Sequence, residues 1–154
     1  MWIPPEEKDP ILQHYPGRKS VGYFGAVRLG DGKFVYQREE NMFDGETFFA
    51  FLKKLKSQSR RRGRKVILLI DNAKYHHARL HKEWRKANDR IFHCEYLPPY
   101  SPDLNPIERV WKLTRRTSVH NRYFPLLADV MAAVEGQFQA WKRPNDVLRR
   151  LCKL

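Results

Sequence analysis

Val66-Ile67-Leu68-Leu69-Ile70 is an unbroken apolar run that stops on Asp71. Five apolar residues in succession leave no polar face, and a run this short reads as a buried strand. A carboxylate therefore sits at the mouth of that strand. Asp71-Asn72 is also ordinary turn chemistry, because both side chain types bond their own downstream backbone. Asp71 taken alone supports a structural and a chemical reading equally.

The second informative stretch is Leu97-Pro98-Pro99-Tyr100-Ser101-Pro102-Asp103-Leu104-Asn105-Pro106-Ile107-Glu108. Its prolines bar a helix before Asn105 and hold the residues preceding them extended. Asn105 as N-cap, Pro106 at the first helical position and Glu108 three residues after the cap match a capping box, which accounts for the glutamate structurally. The chemical reading puts a second carboxylate in the first turn of a helix. Magnesium takes hard oxygen ligands, keeps several waters and is held by one or two carboxylates plus substrate phosphates. Two such ions about 4 Å apart activate an attacking oxygen and stabilise a leaving one. Asp71 and Glu108 are 37 positions apart, which leaves room for a helix and a further strand.

The LLIDNAKYHHA block, the LPPYSPDLNPIERVW block and their separation resemble the ribonuclease-H-like catalytic domain of DDE transposases, specifically the mariner-like branch and its bacterial insertion-sequence relatives. The resemblance extends to the front segment, from Trp2 through VGYFGAVRLGDGKFVY. It implies an α/β fold, a ribonuclease-H-like mixed sheet flanked by helices and lacking its first strand, in one catalytic domain over residues 1–154. It makes Asp71 and Glu108 the second and third acids of a catalytic triad that binds Mg2+, with Mn2+ as a substitute. The first aspartate and a helix-turn-helix region are expected upstream of Trp2. The implied reaction is metal-dependent cleavage at transposon ends, followed by attack of a 3′-hydroxyl on target DNA. The implied partners are DNA and either the upstream half of the transposase or a second copy. Other acids do not replace the first aspartate: Asp9 is in a polar, proline-bounded stretch, Asp31 is in a Gly-Asp-Gly hairpin turn, and Asp44 reads as an N-cap.

Charge points to the same class of partner. Thirty Lys and Arg against 17 Asp and Glu give a net charge of +13 and a pI near 10.0, as expected of a protein that neutralises phosphates. The densest run, Arg60, Arg61, Arg62, Arg64 and Lys65, reads as a phosphate-contacting loop or, with equal weight, as a solvated turn. A second stripe, Lys112, Arg115, Arg116 and Arg122, lies on or just after the Glu108 helix and is better placed to hold DNA near the metals. Lys74 follows Asp71 closely enough to steady a substrate phosphate, although a solvent-exposed lysine is the safer reading, and His76 is as readily a surface loop histidine as a phosphate contact. Tyr100, Ser101 and Asn105 suit DNA contact and turn-making alike, and Trp111 suits the core. None of these reads base sequence by itself.

Zinc chemistry is poorly supported. Cys94 and Cys152 are isolated, and Ala78 stands between His77 and His81 where a zinc protease carries glutamate. No run approaches the ~18 apolar residues of a membrane span, and no signal-like apolar core follows a basic head, so an intracellular, cytoplasmic location is expected. Periodicity places a hairpin over 20–29 and 33–37, a helix over 44–62 with Phe48, Phe51, Leu52 and Leu55 inward, and a strand over 65–70. A helix over 77–88, a strand over 91–97 and helices over 106–118 and 125–141 follow. Two other readings stay open: an inactive truncated remnant, and a basic DNA-binding or dimerisation module without catalysis.

Overall fold

The computed structural model describes residues 11–14, 19–59, 61–73, 76 and 78–154. Trp2, Asp9, Arg60, Lys74 and His77 lie outside the described residues. In chain order the elements are β1 (Ile11–His14), β2 (Lys19–Val27), β3 (Phe34–Glu39), α1 (Gly45–Ser59), β4 (Val66–Ile70), α2 (Lys82–Asn88), β5 (Phe92–Tyr96), α3 (Ile107–Thr114), α4 (Leu127–Ala140) and α5 (Asp146–Leu151). Short 3-10 turns cover Arg79–His81 and Pro102–Leu104, and a π-turn covers Arg115–Val119. This is the α/β order expected, with β1 and α5 in addition. The described strands form a three-stranded antiparallel sheet, β1-β2-β3, and a parallel pair, β4-β5. The chain forms two compact units, one holding Met42–Asn105 and the other holding Asp9–Asn41 and Pro106–Leu154.

In the first unit, Asp44 caps α1 as its sequence suggests: its carboxylate accepts the Thr47 N–H at 2.9 Å, and its own N–H donates to Thr47 Oγ1 at 3.0 Å. Phe48, Phe51, Leu52 and Leu55 recur at helical spacing and are the buried face of α1. β4 and β5 pair in parallel from Val66↔Phe92 to Ile70↔Tyr96. A parallel pair requires a crossover connection, and residues 71–91, with α2, supply it. The expectation that the whole β4 run is buried does not hold: Ile70 is buried, but Ile67 is 61% exposed. β4 has one strand neighbour among the described residues, so its apolar composition exceeds its cover. Ahead of β4, Arg61 and Arg64 bridge a tight turn in which Gly63 has φ +72°, the left-handed value that the third position of a type II turn requires.

The second unit is built on aromatic packing. β2 and β3 pair from Gly22↔Glu39 to Val27↔Phe34, around a loop that Asp31 closes by accepting from Arg28 Nε at 2.8 Å and from the Lys33 N–H at 3.1 Å. Tyr23, Phe34 and Tyr36 project from these strands onto Trp111, Phe138 and Trp141, with Phe34 edge-on to Trp111 at 5.9 Å and 5.0 Å from Phe138. Leu127, Val130, Val134, Phe138 and Trp141 are spaced to face inward from this helix; Val130, Val134 and Phe138 are buried on α4, Trp141 is buried just beyond its end, and Leu127 is half-buried against the core. Trp111 is 2% exposed, so it serves the core as expected. β2 receives it at Gly25, where a Cβ would stand 2.3 Å from Trp111 Cη2 and 3.0 Å from Phe34 Cζ. Asn145, the N-cap of α5, donates from Nδ2 to the Gly32 carbonyl at 2.8 Å and accepts from the Leu148 N–H at 2.9 Å. A short helix that periodicity alone does not reveal is thereby anchored to the hairpin.

Two predictions follow from this packing. Gly25→Ala forces a methyl into the indole and is expected to lower stability by about 1–3 kcal/mol, with partial recovery in Gly25→Ala/Trp111→Phe; urea denaturation midpoints check both. On β5, His93 Nδ1 lies 2.5 Å from Asp89 Oδ1 and Nε2 lies 2.9 Å from Glu95 Oε2. Asp89, then Glu95, raises the imidazole above its ordinary value of 6.5. The stabilisation is therefore complete below that value and is lost as pH rises through the raised one. Asp89→Asn is expected to move the His93 titration down toward 6.5, read by NMR.

Candidate active site

Asp71 leaves the end of β4 directly after Ile70, in register with Tyr96, and its side chain is 16% exposed. Its Oδ1 accepts the Ala73 N–H at 2.9 Å, the local turn bond expected of an Asp-Asn pair, and also faces His76 Nδ1 at 2.8 Å. The same Nδ1 lies 2.9 Å from the Asp71 backbone carbonyl. Both neighbours are acceptors, so Nδ1 carries the proton. His76 is 5% exposed and packs on Phe48, ring centroids 4.3 Å apart. Its carbonyl accepts from the Tyr96 hydroxyl at 2.6 Å, that hydroxyl accepts from Arg85 Nη1 at 2.8 Å, and Arg85 Nε donates to His81 Nδ1 at 2.9 Å. Asn72 Nδ2 donates to the Leu97 carbonyl, tying the Asp71 turn to the start of the proline-rich loop.

This arrangement departs from the sequence expectation for His76. A loop histidine open to phosphate was expected, but the ring is buried and bonded to Asp71. Proximity in sequence gave no sign of this, because the burial comes from Phe48 on α1 and the anchoring from Tyr96 on β5. Arg85 and Tyr96 were not anticipated, and His81 was weighed only as a zinc ligand. Their only sequence signal is the four-residue spacing of His81 and Arg85 across one helical turn.

Glu108 lies in the first turn of α3 and is half-buried. The helix begins at Ile107 with Pro106 preceding it, and no side chain of Pro106 caps it. The Asn105 N–H donates to the Pro102 carbonyl at 3.0 Å. Val110, Trp111 and Thr114 form the buried face, which leaves Glu108 on its flank and Lys112 exposed. Two turns on, at the same angular position, is Arg115.

Arg115 differs from the rest of the second basic stripe. Lys112, Arg116 and Arg122 are exposed, but Arg115 is half-buried at the start of the π-turn, where the His120 N–H donates to the Arg115 carbonyl at 2.7 Å. Its Nε and Nη2 are buried with no hydrogen-bond partner among the described residues. Burial pulls its pKa down, opposed by the Glu108 carboxylate. Arg61, Arg62 and Arg64 are exposed on the turn before β4. Tyr100 is 86% exposed at φ +56°, a left-handed value unusual for a residue with a side chain.

As metal donors, Asp71 and Glu108 are of the hard-oxygen type that magnesium takes. Among the described residues no group of three or more His, Cys, Asp or Glu side chains is arranged to hold a metal ion. Burial pushes the thiols of Cys94 and Cys152 up to about 11, far from the thiolate state a soft metal selects.

A family model described as DDE superfamily endonuclease matches residues 1–130, and the chain belongs to that family. It is 35% identical over 107 residues to the insertion element IS630 uncharacterized 39 kDa protein of Shigella sonnei, covering 69% of this chain and 30% of that one. It is also 35% identical over 69 residues to the uncharacterized protein y4pE/y4sA of Sinorhizobium fredii (strain NBRC 101917 / NGR234), covering 45% of this chain and 47% of that one. Among solved structures, the Mos1 strand transfer complex matches with a TM-score of 0.65 at 18% identity, over 99% of this chain and 44% of that one. The simian T-cell lymphotropic virus intasome in complex with the PP2A regulatory subunit B56 gamma matches with a TM-score of 0.50 at 13% identity, over 82% of this chain and 45% of that one. The chain thus spans under half the length of each relative, and the structural likeness establishes a ribonuclease-H-like fold.

Arg115→Met keeps the side-chain length and removes the desolvated donors. It is expected to raise stability by roughly 1–3 kcal/mol in the absence of DNA, measured by chemical denaturation. A loss of stability would mean that the guanidinium has an acceptor.

Proposed function

We propose that this chain is the catalytic segment of a transposase, which cleaves DNA and transfers strands at the ends of a mobile element. The observation that carries the reading is the DDE endonuclease membership combined with Asp71 held at the end of β4. Asp71 and Glu108 serve as two acids of the metal-binding triad. The third comes from a segment outside these 154 residues, in keeping with relatives that extend well beyond the matched part. Bound Mg2+ or Mn2+ supplies the activation of the attacking oxygen and the charge stabilisation of the leaving one.

The chain's own residues have distinct tasks in this reading. The Asp71 carboxylate, fixed through Oδ1, holds its plane as substrate arrives. Glu108, on the flank of a helix whose other face is packed by Trp111, approaches from a rigid support. Arg61, Arg62, Arg64, Lys112 and Arg116 are open to solvent and suit backbone phosphates, with Arg60 and Lys74 as further candidates. Arg115, its donors desolvated, suits an anion that replaces the acceptor it lacks. The net charge of +13 supports a salt-dependent, sequence-independent component of binding. The single-domain organisation and association with an upstream half or a second copy belong to the same proposal, as does an intracellular site of action. No helix among the described residues is long and apolar enough to cross a membrane.

The test is strand cleavage by the completed protein with element-end DNA and Mg2+ or Mn2+. Asp71→Asn and Glu108→Gln are each expected to lower cleavage by at least about a thousandfold while leaving DNA affinity within about threefold. Full activity in Glu108→Gln would return that residue to a capping role. Tight binding without any metal-dependent cleavage would favour a non-catalytic DNA-binding module.

A further inference from the structure

We propose that His76 is a positioning residue for Asp71, resting on the reading of Asp71 as a metal ligand. One imidazole nitrogen serves two acceptors of the same residue, the carboxylate Oδ1 at 2.8 Å and the backbone carbonyl at 2.9 Å. A donor shared in this way fixes the Asp71 side chain against its own backbone, limiting rotation about χ1 and χ2. The Ala73 N–H reaches the same Oδ1 at 2.9 Å, so a second donor helps to set the carboxylate plane.

The histidine is itself restrained. Its N–H donates to the Ala73 carbonyl at 2.9 Å, its carbonyl accepts from Tyr96, and its ring rests on Phe48. Phe48 also meets His81 edge-on at 5.3 Å, and His81 takes the Arg85 Nε–H that completes the link back to Tyr96. Residues of α1, the crossover and β5 therefore converge on this one histidine, Phe48 on its ring and Tyr96 on its carbonyl. Outer-shell hydrogen bonds of this kind orient metal-binding side chains, and their loss typically costs about 10–100-fold in metal affinity or activity. A buried imidazole with its Nδ1 spent on the ligand has no need of a phosphate to explain it.

The geometry distinguishes two substitutions of similar volume. The amide nitrogen of Asn occupies the place of Nδ1, whereas that of Gln occupies the place of Nε2. His76→Asn is expected to keep Mn2+ affinity within about threefold of the parent, whereas His76→Gln and His76→Ala weaken it at least about tenfold. The measurement is a titration of the full chain followed by the electron paramagnetic resonance signal of free Mn2+, with thermal midpoints taken on each variant. In parallel, 15N-labelled histidine should show a protonated Nδ1 at His76. Equal Mn2+ binding in His76→Gln and the parent would overturn the proposal, as would equal loss in His76→Asn and His76→Gln, or an unprotonated Nδ1. Asp71→Asn separates the failures: if it too binds Mn2+ like the parent, the metal-ligand reading falls and the positioning role with it. If it loses Mn2+ while His76→Gln does not, the positioning role alone falls.

Discussion

The parallel register of β4 and β5 is the constraint on which the candidate site depends. Pairing Ile70 with Tyr96 places Asp71 just past one strand end and the Tyr96 hydroxyl beside the turn that follows it. Because the pair is parallel, the chain between the strands must cross over, and that crossover carries His76, His81 and Arg85. A one-residue slip would send Tyr96 to the opposite face of the pair and leave the His76 carbonyl without its donor. Two strands alone are a marginal sheet. The crossover is accordingly tied down by side-chain hydrogen bonds and by the Phe48 ring, as well as by the ladder.

The second unit solves a different problem. Glu108 stands on α3, which is locked by burying Val110, Trp111 and Thr114 on one side. The indole fits because β2 has glycine at position 25. The aromatic cluster of Tyr23, Phe34, Tyr36, Phe138 and Trp141 then supplies large apolar area with defined ring geometry. Against this well-packed background, Arg115 stands out as a desolvated cation with two unmatched donors beside an acid. Folding gains nothing from that arrangement, and sites that must receive an anion tolerate such a cost.

Much of the fold was legible because the elements are amphipathic at the expected periods. The hairpin, α1, β4, β5, α3 and α4 lie within a few residues of their expected bounds, with Phe48, Phe51, Leu52, Leu55, Val130, Val134 and Phe138 inward. β1 and α5 are four and six residues long, too short for periodicity to register. Their definition comes from the elements they meet, the neighbouring β2 for the strand and the distant Asp31-Gly32 loop for α5. The exposure of Ile67 was equally out of reach, since an apolar run reports its composition and not the number of its neighbours.

For the site, sequence by itself determined the residue types: carboxylates at the end of an apolar strand and in a first helical turn, a proline-rich approach, and a large basic excess. Those are local or compositional properties, readable without knowing what lies across space. Tertiary structure alone decided what surrounds the acids. It buried His76 against Asp71, linked Tyr96, Arg85 and His81 behind it, and desolvated Arg115 while Lys112 and Arg116 stayed in water. Hydrogen bonding and burial depend on approach between residues remote in sequence, and pattern and spacing do not encode that approach one residue at a time.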